Sequence, residues 1–490
     1  MKKFSFIALL TLCAFVTLEA QNAMQALRYS QYNPFGTARY AALGGATGAL
    51  GSDFSSVISN PAGLGFYRSS ELSFTPSIYW VNTVSQFMGN SIEDSQMKFN
   101  IGSLGFSQGF PKDQSGIAGF AYSFGYSSLA NFNSRSTLQG TNNNSSLLDD
   151  FTWHANETVD PITGPDHKNL NSFYEGLAFD TYLMPYDSAA GRYWHDMQLD
   201  GYGQEVYRYS ETSGYIGEYS ISGAVNFSNF IYLGATFGIH AVRFYEDIYH
   251  TENDAKDQVL DFNSLRFREF NSTKGWGYTG RFGMIVRPFN LLRVGATFHL
   301  PTYYRLTDQK YTDMNSTWDS GSGIADANAS SPNGVYDYQL RTPFRVDANA
   351  SLILFKAATI SLGYGYVDYS ASRLNAYDYK FIDENEQIMT DLHATQSVSA
   401  GAEVRIQSLY LRAGTRYTSS PFISEENNAE TWAYSGGIGF RTKQIFVDAS
   451  YTYADRTDIN GMYAFQPGSN EVSINDVALN NLMFTIGYKF

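Results

Sequence analysis

The dominant signal along the chain is a period of two. Tyr215, Gly217, Tyr219, Ile221, Gly223, Val225 and Phe227 alternate with Ile216, Glu218, Ser220, Ser222, Ala224 and Asn226. That is a strand with one apolar face and one small or polar face. After Ser228-Asn229-Phe230 the alternation resumes at Ile231, Leu233, Ala235, Phe237 and Ile239, which predicts a hairpin with a short turn. The same unit recurs from Trp276 to Leu300, from Leu340 to Tyr366, from Val398 to Tyr417 and from Trp432 to Tyr453. With strands near 70–85, 96–110, 115–130 and 478–490, the pattern predicts fourteen.

The connections sort by parity. Short ones fall at 111–114, 228–230, 287–290, 355–357, 407–408 and 442–443; long ones fall at about 86–95, 131–213, 248–273, 305–336, 374–392, 420–429 and 457–477. A transmembrane barrel has short turns at one rim and long loops at the other, whereas a Greek-key sandwich has no reason to sort its loops in this way. Aromatic residues gather near strand ends, as at Tyr79-Trp80 and Tyr303-Tyr304, where membrane interfaces favour them. The expected fold is all-β: a 14-stranded antiparallel transmembrane β-barrel. The final strand carries Leu482, Phe484, Ile486, Tyr488 and Phe490 at every second position. This resembles the C-terminal signal read by the outer-membrane assembly machinery, with Phe490, Tyr488 and Ile486 as its core.

Composition agrees. Aromatic residues are 16% of the 490, charged residues another 16%, and Gly numbers 43. A hydrophobic content of 43% excludes disorder, and a mean hydropathy of -0.28 argues against a helical membrane protein. Lys2, Lys3 and an apolar run from Phe4 to Leu18 read as a secretory signal peptide over residues 1–20, cleaved near Ala20. The single Cys13 lies inside it, so the mature chain has neither disulfide nor thiol chemistry. Removal of the signal moves the net charge from -14 to -15, which speaks against nucleic acid as a partner.

Residues 21–69 do not alternate. The small-residue run Ala42-Leu43-Gly44-Gly45-Ala46 and the later Asn60-Pro61-Ala62-Gly63-Leu64 cannot form a lipid-facing strand, and Pro61 would remove a ladder hydrogen bond. They suit a hatch or plug in a lumen that would otherwise be an open pore, leaving 70–490 for the barrel. The Ala42–Ala46 run, Asp53 a few residues on, and Asn60-Pro61-Ala62-Gly63 just before the first strand resemble the FadL/TodX family, outer-membrane transporters of long-chain fatty acids and other hydrophobic compounds. The resemblance implies a Gram-negative outer-membrane location, capture of a hydrophobic small molecule by external loops, and lateral release through the wall. It assigns the hatch role to Asn60, Pro61, Ala62 and Gly63. It carries over no ligand-contacting side chain.

Other constellations are weaker. His154, His167 and His195 share the loop 131–213 with Asp150, Glu157, Asp166 and Asp196, without the regular spacing of a metal site. Asp383-Glu384-Asn385-Glu386 and Glu425-Glu426 lack the spaced ligand set of a calcium loop. Gly201-Tyr202-Gly203 and Gly363-Tyr364-Gly365 precede no helix, so they are not phosphate cradles. No nucleophile elbow stands out. The sequence therefore implies no enzyme, no cofactor and no metal. The resemblance implies passive uptake of long-chain fatty acids or other hydrophobic small molecules, with membrane lipids and lipopolysaccharide around the barrel. The alternative is a barrel that docks secreted or surface proteins, with loop 131–213 as the contact. Leu170, Phe173, Tyr174, Leu177, Ala178, Tyr182, Leu183 and Met184 in that loop are spaced for one or two short amphipathic helices.

Overall fold

A computed structural model describes residues 20–33, 35–112, 116–159, 164–197, 203–355, 357–424, 428–463 and 471–490. The predicted signal peptide lies outside the described residues except for Ala20, as do Gly201-Tyr202 and Glu425-Glu426. Fourteen strands form one sheet: β1 (Glu71–Phe87), β2 (Asn90–Pro111), β3 (Ile117–Asn131 continued by Ser134–Asn142), β4 (Gln204–Phe227), β5 (Ile231–Asn253), β6 (Phe262–Val286), β7 (Leu292–His299 and Tyr303–Trp318), β8 (Gly334–Arg341 and Arg345–Leu354), β9 (Ala358–Asp368 and Arg373–Asn375), β10 (Ala394–Ile406), β11 (Leu409–Thr418), β12 (Thr431–Arg441), β13 (Ile445–Gly461) and β14 (Val472–Lys489). Each pairs antiparallel with its sequence neighbour, and β1 pairs with β14 from Glu71↔Lys489 to Gln86↔Ile474, so the sheet closes. Closure leaves no free edge at that seam. No described helix is long and apolar enough to cross a membrane.

The period-two pattern fixes the two surfaces. In β4, Tyr219 and Ile221 face outward and are exposed, while Glu218, Ser220, Ser222 and Asn226 face inward and are buried. Leu72, Phe74 and Ile78 of β1 likewise alternate with buried Ser73, Thr75 and Ser77. A continuous outward band of large apolar side chains is a surface for lipid, not water. Phe230, Phe289 and Phe355 stand exposed in three of the short turns, as aromatic tips at a membrane interface do.

The strands run far beyond this band, which corrects five of the expected long connections. β5 continues to Asn253 and β6 begins at Phe262, β7 continues to Trp318 and β8 begins at Gly334, and β13 continues to Gly461 and β14 begins at Val472. The other two are at 86–95 and 131–213. The connection expected at 86–95 is a two-residue turn at Met88-Gly89, both with positive φ, because β1 and β2 continue paired up to Phe87↔Asn90. Around Trp80 the polarity inverts locally: Tyr79 and Val81 point inward against Phe35 and Met483 and polar Asn82 points outward, before Thr83 and Ser85 face inward again. Polar residues on an outer face above the bilayer look like loop in the sequence. The loop expected over 131–213 is also shorter. Ser134–Asn142 pairs with residues 204–212 of β4, so the loop proper is 143–203.

That loop holds α4 (Leu147–Glu157) and α5 (Glu175–Asp180). Ser146 and Asp149 close α4 with a capping box, and Leu170, Leu177 and Met184 pack with Phe151, Phe262 and Trp318 over the tops of β6 and β7. The predicted amphipathic spacing thus yields one short helix at 175–180, and its apolar residues go into the loop's own core. Buried Glu252 of β5 ties the region together, accepting from Ser146 Oγ (2.5 Å), Leu147 N (2.8 Å), His250 Nε2 (2.9 Å) and Tyr463 Oη (2.9 Å).

One group in this loop makes it pH-sensitive. Burial pushes the Glu175 carboxyl up from 4.5 to about 7, with Asp150 adding to the rise against two backbone hydrogen bonds. A carboxyl raised on folding contributes stability that is fully present below its ordinary value and lost as pH rises through about 7. Amide exchange across 147–197 is therefore expected to be slower at about pH 5 than at about pH 8. Glu175→Gln should flatten the difference, and an unchanged slope in the variant would remove Glu175 as its cause.

Candidate functional site

The chain before β1 lies inside the barrel. It forms α1 (Ala20–Ser30), α2 (Ala38–Ala42), α3 (Ser56–Ser59) and a 3₁₀ turn (Pro61–Phe66). Its upper end packs on α6 (Ile382–Asp391), which comes from the β9–β10 loop, with Leu27, Phe381 and Ile388 in one core cluster. Thr37 caps α2 by accepting from Tyr40 N at 3.2 Å and donates to Asp53 at 2.8 Å; Asp53 also accepts from Ser55 N at 2.9 Å. Asp53 thus fastens the two ends of the small-residue run. At Gly44, with φ +60°, an added Cβ would lie 2.7 Å from the Thr415 carbonyl of the wall, so any side chain there forces the run off the wall.

Asn60-Pro61-Ala62-Gly63 lies against β5, β6 and β7. Asn60 accepts from Ala62 N at 3.1 Å and donates to Gly48 O at 2.8 Å, Met284 O at 3.2 Å and Ala296 O at 3.4 Å. Inward-facing glycines admit this contact. A Cβ on Gly283 would overlap the Asn60 side chain, one on Gly234 would overlap the Pro61 backbone, and one on Gly295 would sit 2.6 Å from Gly48 O. The wall beside Asn60 is continuous, with Ala296 paired to Met284.

The wall is interrupted elsewhere. β2 and β3 share a ladder only from Ser103↔Ser127 down to Pro111↔Gly119; above it no main-chain pairing joins them. β3 kinks at this level, with a register shift against β4 between Ser128 and Ala130. Unpaired strand backbone is costly at a lipid boundary, and the lumenal segment takes up part of it. Phe35 N donates to Ser128 O at 3.1 Å and Asn33 N to Leu129 O at 2.9 Å. Side chains span the rest, Asn100 Nδ2 reaching Ser128 Oγ at 3.2 Å and Thr137 Oγ1 donating to Asp94 at 3.2 Å, while Gln96 Nε2 reaches Glu211 of β4 at 2.7 Å.

A cavity of about 50 Å³, to which β3 contributes Leu129, lies between the lumenal segment and the wall. Tyr32, Ile58 and Leu129 line it on one side, Leu300 and Pro343 on another. Its polar floor is built from strand residues. Arg281 donates through both Nη atoms to Glu218 and also to Val57 O of the lumenal segment at 2.7 Å. His240 bridges Glu218 (2.9 Å) and the Tyr304 hydroxyl (2.6 Å), and Tyr304 meets Tyr32 at 3.0 Å. Arg345 and His299 both engage Asp347, at 2.8 Å each. A second buried network runs from Arg39 through Glu403 and Arg412 to Asp448 and Arg441. The lumenal segment is therefore held at two separate places, by hydrogen bonds to the first network through Val57 O and Tyr32, and by the Arg39–Glu403 ion pair of the second.

Of the residues singled out from sequence, Asn60 and its neighbours meet the wall as described; two strand histidines, His240 and His299, line the lumenal cavity. Ile486, Tyr488 and Phe490 face outward, with Phe490 paired to Ser70 through two main-chain hydrogen bonds of 3.0 and 3.1 Å. His195 bonds Asp149 at 2.9 Å and His167 bonds Tyr193 at 2.8 Å, so these two serve the loop core. Sequence reasoning missed Asn33, Phe35, Glu218, Arg281, Arg345 and Asp347. A charged residue on the inward face of a membrane strand is a signal that could have found the last four.

No family model matches the chain, and no curated protein matches it in sequence. Among solved structures, the P. putida toluene transporter TodX aligns over 94% of this chain and 99% of its own, with 11% identity and a TM-score of 0.54. A Pseudomonas aeruginosa FadL homologue aligns over 94% of this chain and 98% of its own, also at 11% identity and 0.54. The chain shares their fold: a closed antiparallel barrel of fourteen strands.

Proposed function

We propose that this protein sits in the outer membrane of a Gram-negative bacterium and carries hydrophobic small molecules inward without chemical change. The observation that bears most weight is the unpaired stretch between β2 and β3, backed by the lumenal segment through Asn33 and Phe35, with Leu129 of β3 also lining the cavity. A greasy molecule gains little by passing through water, since each Å² of its apolar surface favours burial by roughly 25 cal/mol. An exit in the wall lets it pass from lumen to lipid directly. The fold shared with a toluene transporter and a FadL homologue supports the same reading. Residues 21–69 then act as the hatch: displacing Asn33 and Phe35 from β3 frees the wall where β2 and β3 are unpaired.

A reversible staple tests this. Asn100→Cys/Ser128→Cys, whose parent side chains meet at 3.2 Å, would clamp β2 to β3 across the unpaired stretch. Ser107→Cys/Ser123→Cys, from hydroxyls 2.9 Å apart, would clamp the same strands where the ladder is already intact. Uptake of a labelled hydrophobic compound by cells or proteoliposomes is expected to fall at least roughly tenfold in the first variant when oxidised and to return on reduction. The second should be unaffected. Equal uptake by both oxidised variants would refute lateral exit, and no uptake by the unmodified protein for any hydrophobic compound would refute transport.

A further inference from the structure

The cavity is built to read one chemical feature of whatever enters it. We infer that it receives the head of a mostly apolar ligand and that this head is an uncharged hydrogen-bond acceptor, such as a hydroxyl, ketone or ester oxygen. This rests on the transport reading and adds the ligand class. About 50 Å³ accommodates a head group and not a body, so the carbon chain must lie along Ile58, Leu129, Leu300 and Pro343 as the lumenal segment yields.

Two observations select the head. First, the charges around the cavity are balanced. Arg281 faces Glu218, Arg345 faces Asp347, and the two histidines are engaged by the same two carboxylates. An ionised carboxylate would arrive as a third negative group where both cations are already paired, and would lose its hydration to do so. Second, a buried donor is left over. Arg281 is 5% exposed, both its Nη atoms already donate to Glu218 or to the Val57 carbonyl, and its buried Nε–H has no acceptor among the described residues. A neutral oxygen would satisfy that donor without adding charge. A pure hydrocarbon would leave it unmet, at the cost of one buried hydrogen bond.

The test uses the unmodified full chain in lipid nanodiscs and four ligands of matched length: decanol, methyl nonanoate, decanoate and decane. Equilibrium binding at about pH 8 is expected to favour the alcohol and the ester over decane and over decanoate by roughly tenfold, the weight of one hydrogen bond. Decanoate should tighten toward the alcohol as the pH falls below about 5 and the ligand protonates. Decane binding as tightly as decanol would overturn the inference, leaving a cavity that reads only apolarity. Decanoate binding most tightly at pH about 8 would overturn it in favour of an anion site. Failure of all four ligands to bind would also overturn it, while the staple experiment would judge transport separately.

Discussion

Replacing Arg281 with methionine is expected to cost roughly 3–5 kcal/mol of stability, because it strands a buried carboxylate. Glu218 is fully buried in the wall, and Arg281 is its bidentate partner. After the change Glu218 keeps only the His240 contact, and the Val57 carbonyl loses its guanidinium donor. The barrel wall and the lumenal segment should therefore loosen together. Urea unfolding in liposomes, followed by tryptophan fluorescence, would give the loss, and protease sensitivity of residues 23–66 would report release of the segment. The double variant Arg281→Met/Glu218→Met removes both charges and is expected to recover most of the loss, since paired removal of a buried ion pair is often neutral or favourable. A double variant no more stable than the single one would show that the charges are not the cause.

The second large effect is expected from Gly283→Leu. Its Cβ would occupy the space of the Asn60 side chain, and there is no slack on the other side because Asn60 is held by carbonyls of Gly48, Met284 and Ala296. Overpacking costs about 1–3 kcal/mol, and each lost hydrogen bond about 1 kcal/mol more. The strand itself is secured by two ladders, so the lumenal turn is what gives way. In planar bilayers the variant should show stepwise ion conductance well above that of the parent, as a lumen this wide does when open. Gly436→Leu is the control: Gly436 faces outward, and its nearest obstacle is a carbonyl 3.9 Å from the added carbon. Conductance in the control equal to that in Gly283→Leu would mean that barrel damage, not release of the segment, opened the pore.

The contrast between Gly283 and Gly436 marks how far the sequence can be read. Both appear in it as small residues in an alternating strand. Strand parity already says which faces lipid. It does not say that the first lies under Asn60, because the two are 223 positions apart in the chain. The Asn60-Pro61-Ala62-Gly63 segment was legible as a non-strand element just before β1, since proline and glycine impose backbone rules that act within a few residues. The hydrogen bonds that Asn60 makes to two wall strands were not.

What the sequence by itself determined is whatever depends on nearest neighbours along the chain. Period-two alternation set fourteen strands and their lipid faces, short turns set one rim, and the non-alternating stretch set the lumenal segment. These follow from pleat geometry and turn chemistry, which repeat at fixed short spacing. Beyond the membrane band the same rule misled, and the ends of β1 to β8, β13 and β14 read as loops. What only the tertiary structure decided is where the closed sheet fails to close. The absence of ladder between β2 and β3 above Ser103, the donors Asn33 and Phe35 that stand in for it, and the Glu218–Arg281 pair behind it join residues that are local to nothing in the chain. Burial makes such pairings strong, and burial is a property of the assembled barrel rather than of any of its strands.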